Sequence, residues 1–441
     1  GRLSVVGVAR DPPAAIWFSW ANAVRRRLAE GSASFDQERR PLYLGMVIGD
    51  DRSLSELRQF RFRAAGLSHL TAVSGQNVAF VIAVAAPLLT RLGRRSRALA
   101  TLALLVAVVL VTRADPSVLR ASVMAGLAVL AVSSGRVAPA LRVLAVTVTL
   151  LLLVDPMLVH ALGFRLSLAA TAGLVVLTRP IERRLPGPRW LRLTLAVTLA
   201  AQLATAPLLI GLNGGLSPAA VPANLAAVPA AGLVMMLGVT LGVLAGLVAE
   251  PIAAVLQLPA RGLVAWIDAV AGQAATFPCA SLGPARLVAL LAVVAGWAAA
   301  RTRVGERPRR LLALAAAALV VAVCWPTTPT AGHGEPAEGL TVVIGSCGGG
   351  VVVQLDGAVD EADTLDALRA DAVRRIDVLV VSPGRTAHRV ATSVAEQWPV
   401  RRREDLAEGA SAALRVGGVD IGIDGTQATI ELSRAACRLT P

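Results

Sequence analysis

Ala98-Leu-Ala-Thr-Leu-Ala-Leu-Leu-Val-Ala-Val-Val-Leu-Val-Thr112 decides the class of this protein. The run is uncharged and is closed by Arg97 on one side and Arg113 on the other. Apolar runs bounded by charges suit the hydrocarbon core of a bilayer. No water reaches backbone groups there, so a crossing segment is a helix or a strand of a closed barrel. Barrel strands alternate apolar and polar residues; this run does not, which leaves a helix.

Runs of the same kind recur along the chain. The expected spans are Leu67–Leu89, Ala98–Thr112, Ser117–Ser133, Ala140–Val154, Ala161–Thr178, Leu191–Leu212, Pro222–Val248, Val255–Thr276, Leu282–Ala300 and Leu311–Trp325. The chain has 441 residues, of which 55% are hydrophobic, and a mean hydropathy of +0.65. Soluble chains rarely reach that apolarity because they must solvate a surface. The fold class is therefore a polytopic α-helical membrane protein with about ten spans. Several spans fall short of the usual ~20 residues, as expected of helices that line a cavity or re-enter.

The net charge is +14, and every basic residue is arginine, a usage typical of GC-rich genomes. The Arg-rich short loops are Arg91–Arg97, Arg136 with Arg142, Arg179–Arg192 and Arg301–Arg310. The loops at Arg113–Pro116, Asp155–His160 and Asn213–Ser217 are poor in arginine. Placing the rich loops in the cytoplasm gives strict alternation through ten spans and puts both soluble ends outside.

Those ends divide the chain into a polar stretch over 1–63, a membrane domain over 64–325, a Pro/Thr/Gly linker over 326–338 and a soluble tail over 339–441. A chain opening at Gly1, without a signal peptide, reads as starting partway through a soluble domain, with Gly1–Val8 as a closing strand. Trp17, Trp20, Val24 and Leu28 share one helical face, with Arg25, Arg26 and Arg27 on the polar side. Such a helix suits the membrane interface or an ordinary protein surface. In the tail, Leu340–Ile344 and Val351–Leu355 read as a hairpin. Helices are expected at Thr364–Val373 and Thr386–Gln397, and strands at Asp377–Val381, Ala412–Val416 and Ile421–Ile423. The four cysteines are scattered and form no CxxC pair. A Cys347–Cys437 disulfide is open to an extracytoplasmic tail.

The sharpest local sequence is Gly66-Leu-Ser-His-Leu-Thr-Ala-Val-Ser-Gly-Gln-Asn-Val78. It places His69, Ser74 and Asn77 at the entry of an apolar span, where polar groups are costly unless paired or wetted. Ser74-Gly75 invites a helix break. Pro116–Met124 carries Arg120 about one turn inside its span, and Gly163–Ala170 carries Arg165 and Ser167 near the end of another. Two arginines facing one cavity attract phosphates; the competing reading is snorkelling to the interface. Pro222-Ala-Asn224-Leu225 with Pro229, and Trp266 and Asp268 leading to Phe277-Pro278, read as bent or re-entrant segments.

These motifs resemble, in order, those of the ComEC competence family, the DNA-internalisation channels of transformable bacteria. Gly66–Gly75 is similar to the family's Gly-Leu-x-His-Leu-x-Ala-[Ile/Val]-Ser-Gly signature, with Gln76-Asn77 departing from the usual Leu-His. Leu44–Asp50 resembles the lead-in. Arg120-Ala121 with Met124, and Gly163-Phe164 with Leu166-Ser167 and Ala169, resemble the next two motifs, with Arg165 in place of Gln. Asn224-Leu225 with Pro229, and Trp266 with Pro278, resemble the later ones. The resemblance implies a channel for single-stranded DNA in a bacterial inner membrane, with His69, Ser74, Gly75, Asn77, Arg120, Arg165, Ser167 and Asn224 along the path. It also implies a metallo-β-lactamase-like tail.

That tail lacks the chemistry of its relatives. The family's Asp-Val-Gly-Gln-Gly-Asp run is Gly345-Ser-Cys-Gly-Gly-Gly350 here, and its His-rich metal motif is Pro383-Gly-Arg-Thr-Ala-His388. A di-metal hydrolase needs several His and Asp ligands. The expectation is no metal, no cofactor and no enzyme activity. Basic clusters at Arg25–Arg27, Arg39, Arg40, Arg58, Arg61 and Arg63 suit weak electrostatic guidance of DNA. Aromatics, at 3%, are too sparse for tight base stacking. With no phosphate-binding loop, a motor ATPase must be a partner, beside a DNA receptor, membrane lipid and further copies of the chain. The alternatives are a secondary transporter of a small anion and a membrane-tethered nuclease.

Overall fold

Charged and small residues set the helix ends in the computed structural model, which describes residues 16–71, 73–136, 138–213, 217–276, 289, 332–344, 350–371, 373–406, 411–416, 419–424 and 427–432. The spans expected at Leu282–Ala300 and Leu311–Trp325, the strand at Gly1–Val8, the four cysteines and nearly all of Gly345–Gly350 lie outside the described residues. The chain divides into two units, one of Gly1–Leu54, Leu67–Leu208 and Val221–Val270, the other of Ser55–Gly66, Leu209–Ala220 and Ala271–Pro441.

The first unit is helical. Its elements are α1 (Ile16–Gly31), α2 (Arg40–Ile48), α4 (Gly75–Leu89), α5 (Arg94–Val111), α6 (Pro116–Ser133), α7 (Ala140–Val154), α8 (Leu162–Glu182), α9 (Arg189–Asn213) and α10 (Ala220–Leu237). A π-helical turn at Gly238–Gly242 then leads into α11 (Val243–Ala245) and α12 (Glu250–Ala275). The opening run is the body of α5. Five helices among the described residues are long and apolar enough to cross a membrane: Pro116–Ser133, Leu162–Glu182, Arg189–Gly211, Ala220–Ala245 and Glu250–Ala275. Gly75–Leu89 and Ala140–Val154 are apolar but shorter. Of the ten expected spans, eight fall in the described region: five are full-length, two are short, and the eighth, α5, is an apolar helix that opens on Arg94, Arg95 and Arg97 and is not among them.

Large apolar side chains face outward, Leu99, Leu153 and Val154 being 68%, 75% and 85% exposed. Lipid is a good solvent for such groups, so helices meet instead through small residues. A Cβ on Gly173 of α8 would stand 2.7 Å from the Ala200 carbonyl of α9, so only glycine lets these backbones approach. Ala220–Ala245 is the most enclosed span, with 44% of its apolar window buried.

No interruption occurs at Pro222–Pro229 or around Trp266. Pro222 falls in the first turn of α10, where no intrahelical donor is lost. Pro229 sits inside the same helix, and α12 runs unbroken through Trp266 and Asp268. The irregularity is the π-helical turn further on. Along α1, Trp17, Phe18 and Trp20 are exposed, whereas Ala21, Arg25 and Leu28 are buried. The buried face is therefore rotated from the one expected.

The second unit centres on a five-stranded sheet in the order β1-β2-β3-β4-β5. Its strands are β1 (Gly332–Ala337), β2 (Leu340–Ile344), β3 (Val351–Leu355), β4 (Ile376–Val381) and β5 (Val400–Asp405). The first three run antiparallel, while β3, β4 and β5 are parallel. Helices α13 (Glu361–Ala370) and α14 (Arg385–Gln397) make the two crossovers. A central parallel strand is covered on both faces, and every residue of β4 is buried. That includes Asp377, whose carboxylate accepts from Val351 N at 3.1 Å and pairs with Arg375 at 3.1 Å. The edge strand β5 exposes Arg401, Arg402 and Arg403, a charge run that blunts an open edge. A separate antiparallel meander holds β6 (Ser411–Val416), β7 (Val419–Asp424) and β8 (Gln427–Leu432).

The core of this unit includes one element from the far end of the sequence. Helix α3 (Glu56–Ala64) is capped by Ser55, whose side chain accepts from Arg58 N. It buries Leu57, Phe60 and Ala64 among Leu355, Leu365, Leu379, Val394 and Trp398. Arg61 Nε donates to Gln397 Oε1 at 3.0 Å, and Arg63 pairs with Asp366 at 3.1 Å. Arg369 Nη2 donates to the Ala64 carbonyl at 2.9 Å.

Candidate functional site

The Gly66–Val78 motif unfolds into three local pieces. Ser68–Leu70 forms a 3-10 turn, Ser74 is extended at φ −108° and ψ 162°, and α4 begins at Gly75. The helix break expected at Ser74-Gly75 is therefore a helix start. Serine commonly caps such a start, but here its side chain makes no capping bond. Its hydroxyl instead donates to Asn77 Oδ1 at 3.2 Å. Asn77, 5% exposed, donates from Nδ2 to the Met46 carbonyl at 2.9 Å. Asn77 thus fastens the first turn of α4 to the last turn of α2. That last turn closes on Gly49, left-handed at φ 73°.

Helix α6 starts beside this point. Asp115 caps it, accepting from Ser117 N at 2.9 Å. Ser117 Oγ also lies 2.8 Å from the Val73 carbonyl, which ties α6 to the extended stretch before α4. One turn on, Arg120 is 5% exposed. Its Nε and Nη2 donate to Ser167 Oγ on α8 at 3.0 and 2.7 Å, and Nη1 lies 3.3 Å from Met124 Sδ. Among the described residues no carboxylate pairs with it. A Cβ added to Gly75 would stand 3.0 Å from Arg120 Nη2 and 2.9 Å from Ala121 Cβ, so the start of α4 approaches the guanidinium only because residue 75 is glycine.

Five of the eight residues picked from the sequence therefore meet: Ser74, Gly75, Asn77, Arg120 and Ser167. Of the other three, His69 and Arg165 make none of these contacts. His69 is exposed on the 3-10 turn. Arg165 is exposed in the first turn of α8; two residues from Ser167, it lies on nearly the opposite face of that helix. The two arginines do not share one pocket. Asn224 is buried in α10, 7% exposed, and Trp266 Nε1 donates to the nearby Ala226 carbonyl at 3.0 Å.

The basic clusters read from the sequence are largely occupied by internal contacts. Arg25 Nη1 donates to the Val111 carbonyl at 2.6 Å and its Nη2 lies 3.5 Å from Asp50. A cation at the carbonyl end of α5 is favourably placed against the helix dipole. The available signal was spacing, since Arg25 shares a helical face with Ala21 and Leu28. Arg52 holds the Asp50 carboxyl below its ordinary value by hydrogen bonding, with burial opposing. Arg39 pairs with Asp268 at 3.1 Å. In the tail, His388 is exposed on α14, and no group of three His, Cys, Asp or Glu that could hold a metal exists among the described residues.

No curated protein and no solved structure matches the chain. The family described as "Competence protein" matches residues 46–326, which contain every candidate path residue. With well over half of its length matched and its apolar helices in place, this chain is a multi-pass membrane protein belonging to the competence protein family, with a role in competence and DNA uptake.

Proposed function

We propose that the protein is the channel through which single-stranded DNA enters the cytoplasm during natural transformation. The observation that carries this reading is the family match over residues 46–326. A buried, carboxylate-free arginine inside a span supports it, because intramembrane ionisable groups line substrate paths. We place the protein in the bacterial inner membrane with both soluble ends outside. The Arg-rich short loops, placed in the cytoplasm by the positive-inside rule, support that orientation.

The tail is read as a metallo-β-lactamase-like domain without a metal site and without hydrolase activity. This rests on the replacement of the acidic and histidine positions at Gly345–Gly350 and Pro383–His388. Energy and capture then come from partners, a motor ATPase and a DNA receptor. The test is entry of labelled DNA into the cytoplasm of a clean deletion strain and of the same strain with the gene restored. Surface-bound DNA that fails to enter until restoration supports the channel. Unchanged entry in the deletion overturns it.

A further inference from the structure

We propose that the first turn of α4 and the Arg120 guanidinium together form a binding site for one phosphate of the DNA strand, with the Ser167 hydroxyl as the resting ligand that the phosphate displaces. This deepens the channel reading and rests on it.

Two positive ends converge here, and among the described residues no carboxylate pairs with Arg120. The N-terminus of α4 carries unpaired backbone N–H groups and the positive end of the helix dipole. In most helices a serine at the position of Ser74 would cap it, but that hydroxyl is turned to Asn77. Arg120 points its Nη2 at the same turn, within 3.0 Å of where a Gly75 Cβ would stand. It is 95% buried, being 5% exposed, and its partners are neutral, a hydroxyl and a thioether. Asp115, the acid nearest in sequence, is engaged with Ser117. A buried cation with no counter-charge is costly, and placing it against a helix N-terminus adds repulsion. A single anion between them relieves both.

Phosphate fits better than a carboxylate solute. Guanidinium binds it through two parallel N–H groups, and helix N-termini bind it through backbone amides. Arg120 now uses Nε and Nη2 on one oxygen, that of Ser167. Those two donors form the fork that a phosphate oxygen pair would take over. Gly75 is the enabling residue, since any side chain there would separate the amides from the guanidinium. Arg165 takes no part. Because the Arg120–Ser167 bonds join α6 to α8, each phosphate that takes the serine's place also breaks that side-chain link between the two helices.

The test uses the full chain in nanodiscs of neutral lipid and a fluorescent single-stranded oligonucleotide titrated across salt concentrations. Each phosphate neutralised adds about 0.7 to the slope of log affinity against log salt for single strands. Arg120→Gln should lower the slope by about that amount, and Arg120→Lys should restore most of it. Inorganic phosphate at fixed ionic strength should compete in wild type and not in R120Q. Ser167→Ala frees the fork and should bind the oligonucleotide several-fold more tightly, whereas a purely structural bond would make it lose affinity and stability. That variant decides the matter even if R120Q does not fold. An unchanged slope in R120Q, weaker binding by S167A, or effects seen only with anionic lipid present would overturn the site. A deletion strain that still takes up DNA would sink the channel reading instead; uptake that needs the protein while R120Q is fully active sinks the site alone.

Discussion

Phe60 and Trp398 pack ring against ring, with centroids 5.8 Å apart and planes inclined at 42°. One belongs to α3, before the first membrane span, and the other follows α14 in the tail. Phe60 is 1% exposed and also lies under the Arg369 guanidinium, 5.9 Å from ring centre to Cζ. The tail core is therefore completed by a helix that is joined directly to the Gly66–Val78 motif.

Removing that ring should loosen the tail. Phe60→Ala costs about 3–5 kcal/mol, the range for truncating a buried phenylalanine. In the full chain, limited proteolysis should then cut the tail at a lower protease concentration than in wild type. A tail equally resistant in both proteins would show that α3 is not part of its folding unit.

Asn77 separates two roles. If it serves mainly to fasten α4 to α2, Asn77→Ala leaves the Met46 carbonyl without its 2.9 Å donor. The expected loss is about 1–3 kcal/mol for an orphaned buried acceptor. Thermal melting in detergent and DNA uptake should fall together. Reduced uptake at unchanged melting temperature would mean that Asn77 acts on the strand rather than on the fold.

Glycines of the first unit should divide sharply by neighbourhood. A Cβ at Gly31 would stand 2.7 Å from both the Gly242 carbonyl oxygen and the Gly246 nitrogen, backbone atoms that cannot step aside. Gly31→Ala should destabilise the docking of α1 by about 1–3 kcal/mol. At Gly262 in α12 nothing lies within 4 Å, and alanine there should be neutral or stabilise by up to ~1 kcal/mol. Monodispersity and melting of the two purified variants check the contrast.

Asp50 supplies a pH dependence. Its carboxyl is held below the ordinary 3.8 chiefly by the hydrogen bond from Arg52. A depressed carboxylate stabilises the fold above its unfolded value and loses that contribution as pH falls through the folded one. The melting temperature of Asp50→Asn should therefore lie below wild type by a constant margin from neutral pH down to about 5. The margin should close only in stronger acid. A margin that grows on acidification would reverse the sign of the linkage.

Much of the fold was legible locally. The uncharged run at Ala98–Thr112 has one solution in a bilayer, and it is α5. The strand expected at Asp377–Val381, apolar after its first residue, similarly became the fully buried inner strand β4. Three strands escaped, β1, β5 and β8, the first two because their composition argues against them. Gly332–Ala337 holds Gly and Pro, and Val400–Asp405 holds five charges in succession; each lies at an edge of the sheet, where pairing on one side suffices. Pro229 suggested an interruption, yet α10 runs on through it, since neighbouring groups in a packed bundle absorb a lost bond. For the site, residue type and spacing singled out Ser74, Gly75, Asn77, Arg120 and Ser167, but not who touches whom.

The sequence by itself determined that the chain crosses a membrane repeatedly and which motif family it carries. These follow from local composition, because a bilayer imposes the same demand on every segment that enters it. Only the tertiary structure decided that Arg120 faces Ser167 and not Arg165's side of α8, that Arg25 is buried, and that α3 belongs with the tail. Those outcomes depend on contacts between residues far apart in the chain, and no local period encodes them.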